Sequence, residues 1–538
     1  AGSPTGTPTT AQGDRGRHAR SIDPVGQAHN KHFRPMPTTC PDYSNIRCTQ
    51  HPGQLNSKAV EPVDQLLLIL PERVPAAVWK QLPQGARLKA LTGKRPAGDI
   101  PVLETRLTNK RQTRVVAGKI GAGSSAFDRL TFARRLVSAA IGEKAGCLGI
   151  VVVGFDDEEQ RELCEAAVAA ALAASFNLPT FKSKTPPPRI RSLRVLGLSD
   201  TIDLSRTMAE ASGNNLARWL TALPPNILDA ANYAVALKEL AADNGWQYKK
   251  YSIKELEKMG AGAFLAVAQG NVDDSASIVR LQYRPGKASE RPVVSLVGKG
   301  IVFDTGGTNL KPFMSMLDMH GDMQGSAVAV GTLLAMSQLE LPMAVDAWLA
   351  ITENRTGPNA YKSQDVVTAA NGKTIQTIHT DAEGRMVLAD TLTFASRDKP
   401  DLIIDYATLT GAVMNALTTR YSGVFTNRPD WHPRLKRAGR DTGERVWPFP
   451  IGKEFLEDLK SDTADLQQCS AKPLGDHILA GSFMAEFIEE DTPWIHVDLA
   501  ASNHKGGLAH VPTEITGFGV RYTLGLLLDE QILDSEDH

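Results

Sequence analysis

Between residues 277 and 407, short apolar runs rich in β-branched side chains alternate with stretches of helical periodicity. The runs at 277–283, 293–297, 343–352 and 401–407 carry strand patterns. Helical patterns at 327–338 and 386–397 separate them. A strand that is followed by a helix and then another strand returns in the same direction, whereas antiparallel strands need only a tight turn. The alternation therefore predicts an α/β fold whose central sheet is mixed, mostly parallel, and covered by helices on both faces. Ligands of such sheets lie beyond the carboxyl ends of the strands. The residues that follow each run thus carry the most information about function.

The same pattern predicts a smaller α/β domain upstream, with strands at 65–70 and 148–155. A helix at 157–176 opens with Asp157, Glu158 and Glu159, where the macrodipole favours acids. Pro186, Pro187 and Pro188 end that domain, because no helix continues through them. A helical segment at 200–221 then leads into Pro224-Pro225-Asn226. A chain of 538 residues exceeds one ordinary core. The expected division is a flexible basic tail at 1–60, a small N-terminal α/β domain at 61–190 and a large C-terminal catalytic domain at 191–538.

The tail holds seven Lys/Arg against three Asp/Glu and four of the twelve histidines, a composition that buries little apolar surface. It reads either as the remnant of an organelle-targeting segment or as a variable extension. Over the whole chain the formal net charge of −1 gives no long-range attraction to nucleic acid or anionic membrane. No apolar run approaches the roughly 20 residues that span a bilayer, and no secretory signal is visible. Cys40, Cys48, Cys147, Cys164 and Cys469 are odd in number and scattered. That argues against a disulfide framework and for a reducing compartment. The expected location is cytoplasmic, with an organelle as the alternative that the basic tail leaves open.

Three clusters in the second domain could do chemistry. They are Gly298-Lys299-Gly300 through Asp304 to Lys311, Asp318 through Asp322 to Gly325, and His379-Thr380-Asp381-Ala382-Glu383-Gly384-Arg385. Singly, each acid has an ordinary reading as a turn former, a helix cap or a solvated loop residue. Jointly they place four carboxylates beside apolar segments. The i, i+2 spacing of Asp381 and Glu383 sends both to one face if the backbone is extended. Converging carboxylates stay protonated unless cations neutralise them. Divalent ions bound by oxygen, at about 2.0–2.2 Å for zinc, remove that conflict. Four carboxylates, one of them bridging, suit a hydrolytic pair of ions roughly 3.5–4 Å apart. The lack of His and Cys in the cluster argues against a structural zinc site.

These clusters resemble the signatures of the leucyl (cytosol) aminopeptidase family, whose hallmark Asn-Thr-Asp-Ala-Glu-Gly-Arg matches Thr380–Arg385 without a gap. The likeness extends through Pro224-Pro225-Asn226, Ala407-Thr408-Leu409-Thr410-Gly411 and Thr516-Gly517-Phe518-Gly519-Val520-Arg521. It spans about residues 200–530, and its last stretch is similar to the bacterial peptidase B-like branch. The resemblance implies two divalent ions per subunit, zinc or manganese with magnesium or cobalt as alternatives. Their ligands would be Lys299, Asp304, Asp322, Asp381 and Glu383. A ligating lysine must be neutral, and an adjacent divalent cation lowers its pKa in that direction. Lys311 would stabilise the oxyanion, and Arg385 would hold a bicarbonate that serves as general base. Met319, Thr408, Leu409, Ala500 and Asn503 match the family's side-chain pocket. The implied assembly is a homohexamer that admits peptides with a free N-terminus.

Several positions depart from the family pattern. His379 stands in place of Asn, Ser363-Gln364 in place of Pro-Gly, and Gln324 in place of Gly or Cys. Asn503 replaces an apolar pocket residue in some members, so a preference for leucine is not expected. A catalytically silent structural or nucleic-acid-binding relative is the competing reading. It would have lost ligands and would need a concentrated basic patch. A dipeptidase for cysteinyl-glycine would use the same site. No P-loop spacing occurs, and Gly298-Lys299-Gly300 alone lacks the dinucleotide fingerprint.

Overall fold

The run after residue 64 has no polar alternation, and it forms a strand buried on both faces. It lies inside the first of two large sheets in a computed structural model, which describes residue 2 and residues 46–92, 100–141, 146–184, 190–286, 291–472 and 474–534. The chain divides into two compact units, Ala1–Thr38 and Thr39–His538, and everything below concerns the second.

The first sheet contains β1 (Arg47–His51), β2 (Gln65–Pro71), β3 (Leu103–Arg106), β4 (Arg114–Ile120), β5 (Gly146–Val152) and β6 (Ile190–Leu196). Their order is β1-β6-β5-β2-β4-β3. All neighbours are parallel except β3 and β4. Side chains of β2 alternate between faces as a pleat requires. Leu67 and Ile69 meet the helices Ala126–Ala140 and Asp157–Ser175, while Leu66, Leu68 and Leu70 meet Val78, Trp79 and Leu82.

Residues 1 and 3–45 of the expected tail lie outside the described residues. Its end is part of the fold: β1 pairs with β6, and Leu55 and Val60 are buried in the core. Polar composition hid this edge strand, whose residues are only half-buried. The four described cysteines are free. No described helix is long and apolar enough to cross a membrane.

The second sheet begins with β7 (Gln247–Ser252), β8 (Ser277–Tyr283), β9 (Val294–Asp304) and β10 (Val345–Asn354). Next come β11 (Val366–Thr368) and β12 (Thr374–Gln376), which leave the main sheet, then β13 (Leu402–Ala407), β14 (Ser422–Thr426) and β15 (Val446–Pro448). The strand β16 (Leu466–Gln467) joins β11 and β12 in a small separate sheet, and β17 (Trp494–Asp498) completes the large one. The large sheet runs β15-β14-β17-β13-β9-β10-β8-β7. Neighbours from β17 to β10 are parallel, as are β14 and β15. The pairs β14–β17, β10–β8 and β8–β7 are antiparallel. This is the mixed, mostly parallel sheet that the alternation predicts.

Helix Gln324–Gln338 packs against one face of this sheet, and helix Ser205–Thr221 packs onto it from outside. Helices Gly262–Ala268, Glu383–Arg397 and Asp476–Ala485 build an apolar core on the other face with Val297, Ile301 and Ile403. β9 continues seven residues past its expected end at 297, straight through Gly298-Lys299-Gly300. These glycines interrupt the apolar pattern for a packing reason. A Cβ on Gly298 would lie 2.4 Å from the Cα of Ser326, so glycine lets the helix start close against the strand. Asp304 is thereby carried to the strand's carboxyl end.

Candidate active site

Four chain segments deliver the charged residues to the carboxyl edge of β9 and β10. Asp304 is the last residue of β9 and Asn354 the last of β10. Asp322 precedes the helix Gln324–Gln338, and Glu383 opens the helix Glu383–Arg397. Lys299 points in from β9, and Lys311 from the loop beyond it. The loop reverses at Gly306 (φ 87°) and Gly307 (φ 68°), in the left-handed region. A Cβ on Gly306 would also stand 2.5 Å from the carbonyl oxygen of Asn309.

The expectation that Asp381 and Glu383 share a face through an extended backbone is corrected. Asp381 lies in a turn, Ala382 has φ −105° and ψ 37°, and Glu383 is already helical. Their convergence comes from the tight entry into the helix. The helices Gln324–Gln338 and Glu383–Arg397 both start three residues earlier than their apolar periodicity.

The carboxylates of Asp304, Asp381 and Glu383 offer oxygen atoms that all lie within 4.8 Å of one another, the one such grouping among the described residues. Lys299 Nζ is 2.9 Å from Asp322 Oδ2 and 2.9 Å from Glu383 Oε1, and donates to the Thr408 carbonyl at 3.0 Å. Lys311 Nζ is 2.8 Å from Asp304 Oδ2 and also pairs with Asp381. Thr408 Oγ1 donates to Asp322 Oδ1 at 2.7 Å. Gly384 leaves room for Lys299, since a Cβ there would be 2.8 Å from Nζ.

Burial and like charge set the electrostatics of this cluster. Burial raises the Asp322 carboxyl well above its ordinary range, and Lys299 only partly opposes it. Asp381 is pushed up to about 7 by burial and by Asp304 and Glu383, against the pull of Lys311. Burial alone would lower Lys299 and Lys311, but the acids around each outweigh it and hold both ammonium groups charged. Four carboxylates thus share two lysine charges. The donor set fits divalent cations: it is oxygen-rich, has excess negative charge, and includes an amine that cations would displace toward neutrality.

Arg385 is brought to the same region but is already occupied. Its Nη2 donates to both carboxylate oxygens of Asp476 at 2.9 Å, and its Nη1 donates to the Gln468 carbonyl at 3.2 Å. The sequence gives no warning of Asp476, which lies 91 residues away. Asn354 was likewise missed. Its Nδ2 donates to Asp304 Oδ1 at 2.8 Å, Thr380 O at 3.0 Å and Glu383 Oε2 at 3.3 Å. It stands two residues past the predicted strand end at 352, and that position at a carboxyl terminus was the available signal.

Of the expected pocket residues, Thr408 and Leu409 adjoin the cluster directly, through Asp322 and Gly384. Met319 lies in the 3₁₀ turn before Asp322. Ala500 is buried in a second such turn, and Asn503 is exposed just after it. His379 is exposed, and its Nδ1 accepts from the Asp381 backbone N–H at 3.2 Å. Gln364, where glycine was the usual residue, has φ 76°.

A model of the cytosol aminopeptidase family, catalytic domain, matches residues 215–524, over half of the chain. A probable cytosol aminopeptidase of Solibacter usitatus is 37% identical over 429 residues, covering 78% of this chain and 87% of the relative. One from Chlorobaculum tepidum is 33% identical over 457 residues, covering 81% and 90%. Among solved structures, leucyl aminopeptidase from Leishmania major in complex with actinonin aligns with a TM-score of 0.74. Its identity is 25%, covering 90% of this chain and 94% of that one. The bottromycin maturation enzyme BotP in complex with Mn also reaches 0.74, at 29% identity, covering 87% and 99%.

Proposed function

The chain belongs to the cytosol aminopeptidase family, and from that premise we propose that it removes single residues from peptide N-termini with two divalent metal ions at the carboxylate–lysine cluster. The observation that carries this reading is the approach of Asp304, Asp381 and Glu383 to within 4.8 Å, with Asp322 joined to them through Lys299. Lys299 and Asp322 would hold one ion, Asp381 the other, and Asp304 and Glu383 both. Bound ions would polarise the scissile carbonyl and lower the pKa of a water molecule. The structural relative with Mn supports manganese, and zinc suits the same oxygens.

The chain's own residues do the rest. Lys311, now paired with Asp304 and Asp381, would be freed if cations neutralised those carboxylates, and would then donate to the oxyanion at the scissile carbonyl. Asn354 keeps two of the carboxylates in register without adding charge. Thr408, Leu409 and Met319 border the place where the first side chain would sit, and Ala500 and Asn503 extend it. We assign catalysis to residues 191–538, and read the assembly as a homohexamer and the location as cytoplasmic on the strength of family membership. The bicarbonate expected on Arg385 does not fit, because Asp476 already holds that guanidinium.

The test is hydrolysis of unblocked and N-acetylated dipeptides by metal-stripped protein, before and after Zn²⁺ or Mn²⁺ is restored. Metal-dependent cleavage of unblocked peptides alone, reduced about 10²–10³-fold in Lys311→Ala, is the expected result. Metal-loaded, folded protein without turnover would overturn the proposal.

A further inference from the structure

A planar oxyanion binds a guanidinium through one of two forks, Nη1 with Nη2 or Nε with Nη2. Both forks need Nη2, and in Arg385 that atom donates to both oxygens of Asp476 at 2.9 Å. The Gln468 carbonyl takes Nη1 as well. The arginine side chain is 2% exposed, so its charge requires a permanent partner inside the protein. Asp476 is well placed to be that partner. It is the first residue of the helix Asp476–Ala485, where the macrodipole favours a carboxylate, and it keeps 32% of its side chain exposed toward solvent. Arg385 itself is two residues from Glu383, on the same first turn of its helix. The anion seat beside the carboxylate cluster is therefore filled from within the chain.

We propose that Asp476 takes the place of bicarbonate in this enzyme and acts as the proton acceptor. This deepens the aminopeptidase reading and rests on it. When water attacks the scissile carbonyl, its proton passes to a carboxylate oxygen of Asp476. When the carbon–nitrogen bond breaks, the same proton passes to the departing amine, and the carboxylate is regenerated. Arg385 holds the carboxylate in position throughout, as it would hold a free ion.

The experiment uses full-length metal-loaded protein in buffer purged of carbon dioxide, with sodium bicarbonate then added back. Wild-type turnover is expected to be the same with and without bicarbonate. Asp476→Ala empties the seat, so it should lose about 10²-fold or more in turnover without bicarbonate and recover a large part of it when the ion is added. Asp476→Asn keeps the seat filled but cannot accept a proton, so it should be slow and gain nothing from bicarbonate. Independently of turnover, bicarbonate should raise the melting temperature of Asp476→Ala and leave that of wild type unchanged.

Bicarbonate dependence in the wild type would overturn the proposal. So would full turnover by folded Asp476→Asn or Asp476→Ala in purged buffer, or a slow Asp476→Ala that the ion does not rescue. If wild type hydrolyses no peptide, the aminopeptidase reading fails, and the melting experiment still reports who occupies Arg385.

Discussion

The two sheets obey one construction rule, yet two helices beside the first begin differently from two beside the second. Beside the first sheet, the helix Ala126–Ala140 is capped by Ser125, which accepts from the Asp128 N–H at 3.2 Å. The helix Asp157–Ser175 is capped by Asp156, which accepts from the Glu159 N–H at 2.8 Å. Beside the second sheet, Gln324–Gln338 and Glu383–Arg397 start after Met323 and Ala382, and neither residue caps with its side chain. These are the two helices that deliver Asp322 and Glu383. Asp156 satisfies its own helix, whereas Asp322 and Glu383 both turn toward Lys299. The cap that Ser125 and Asp156 supply is missing from the two helices that adjoin the carboxylate cluster.

The largest expected effect separates the regions outright. Glu383→Gln removes one of three converging carboxylates while keeping its shape, and turnover should drop by about 10³-fold or more. Its circular dichroism and melting temperature should stay close to wild type. Loss of folding along with activity would mean that this acid serves the scaffold after all.

The next effect concerns the seam between the two regions. Arg134, on the helix Ala126–Ala140, donates to the Ala509 carbonyl at 2.9 Å, and His510 beside it is buried. Burial, with Arg521, Arg218 and Arg134 nearby, lowers His510 from 6.5 to about 3. A depressed histidine favours folding fully above its unfolded value, and that contribution is lost as pH falls from about 6.5 toward 3. The loss should approach the order of 4 kcal/mol at the acid end. Denaturant unfolding at several pH values, compared with His510→Gln, measures it. Equal acid sensitivity in both proteins would rule out a neutral buried imidazole.

How far the sequence revealed this arrangement follows from the same contrast. Strands such as β2 and β8 were legible because apolar runs bounded by turn residues leave few alternatives. The helices at 157–176, 327–338 and 386–397 were legible, the last two from their fourth residue on, because their first residues fall outside the apolar periodicity. Lys299, Asp304, Asp322, Lys311, Asp381 and Glu383 stand out in the sequence through three dense motifs and the family resemblance those motifs carry, and the fold brings the six side chains together. Asn354 and Asp476 were not found. Each is one polar residue in an unremarked stretch, and only folding brings it to its partner across 50 or 91 residues of chain. The strand β1 was lost to a composition that edge strands tolerate.

Asn354 lets the comparison be sharpened at a smaller scale. It ties the end of β10, a scaffold element, to Asp304 and Glu383. Groups that orient ligands in this way typically matter 10–100-fold in affinity or activity. Asn354→Ala should therefore weaken Mn²⁺ affinity and turnover by about that factor, measured by titrating metal-stripped protein. An Asn354→Asp variant adds a carboxylate to the cluster and should shift metal binding without loss of fold. No change in either variant would return Asn354 to the scaffold.

The smallest effect tests the caps themselves. Asp156→Ala removes a cap from a helix of the first region and should cost about 1 kcal/mol of stability, with kcat unchanged. Ala382→Ser offers the missing cap to the helix of Glu383. If the bare N-terminus there only reflects relaxed local design, the serine should stabilise the protein by a similar amount at no loss of turnover. A serine that bonds the first-turn N–H groups must instead reshape the entry that brings Asp381 and Glu383 together. The expected outcome is therefore unchanged or higher stability with reduced metal-dependent hydrolysis, read by chemical unfolding and peptide turnover on the same preparation. The opposing signs of the two readouts would show that the uncapped end is held for the site and not left over from it.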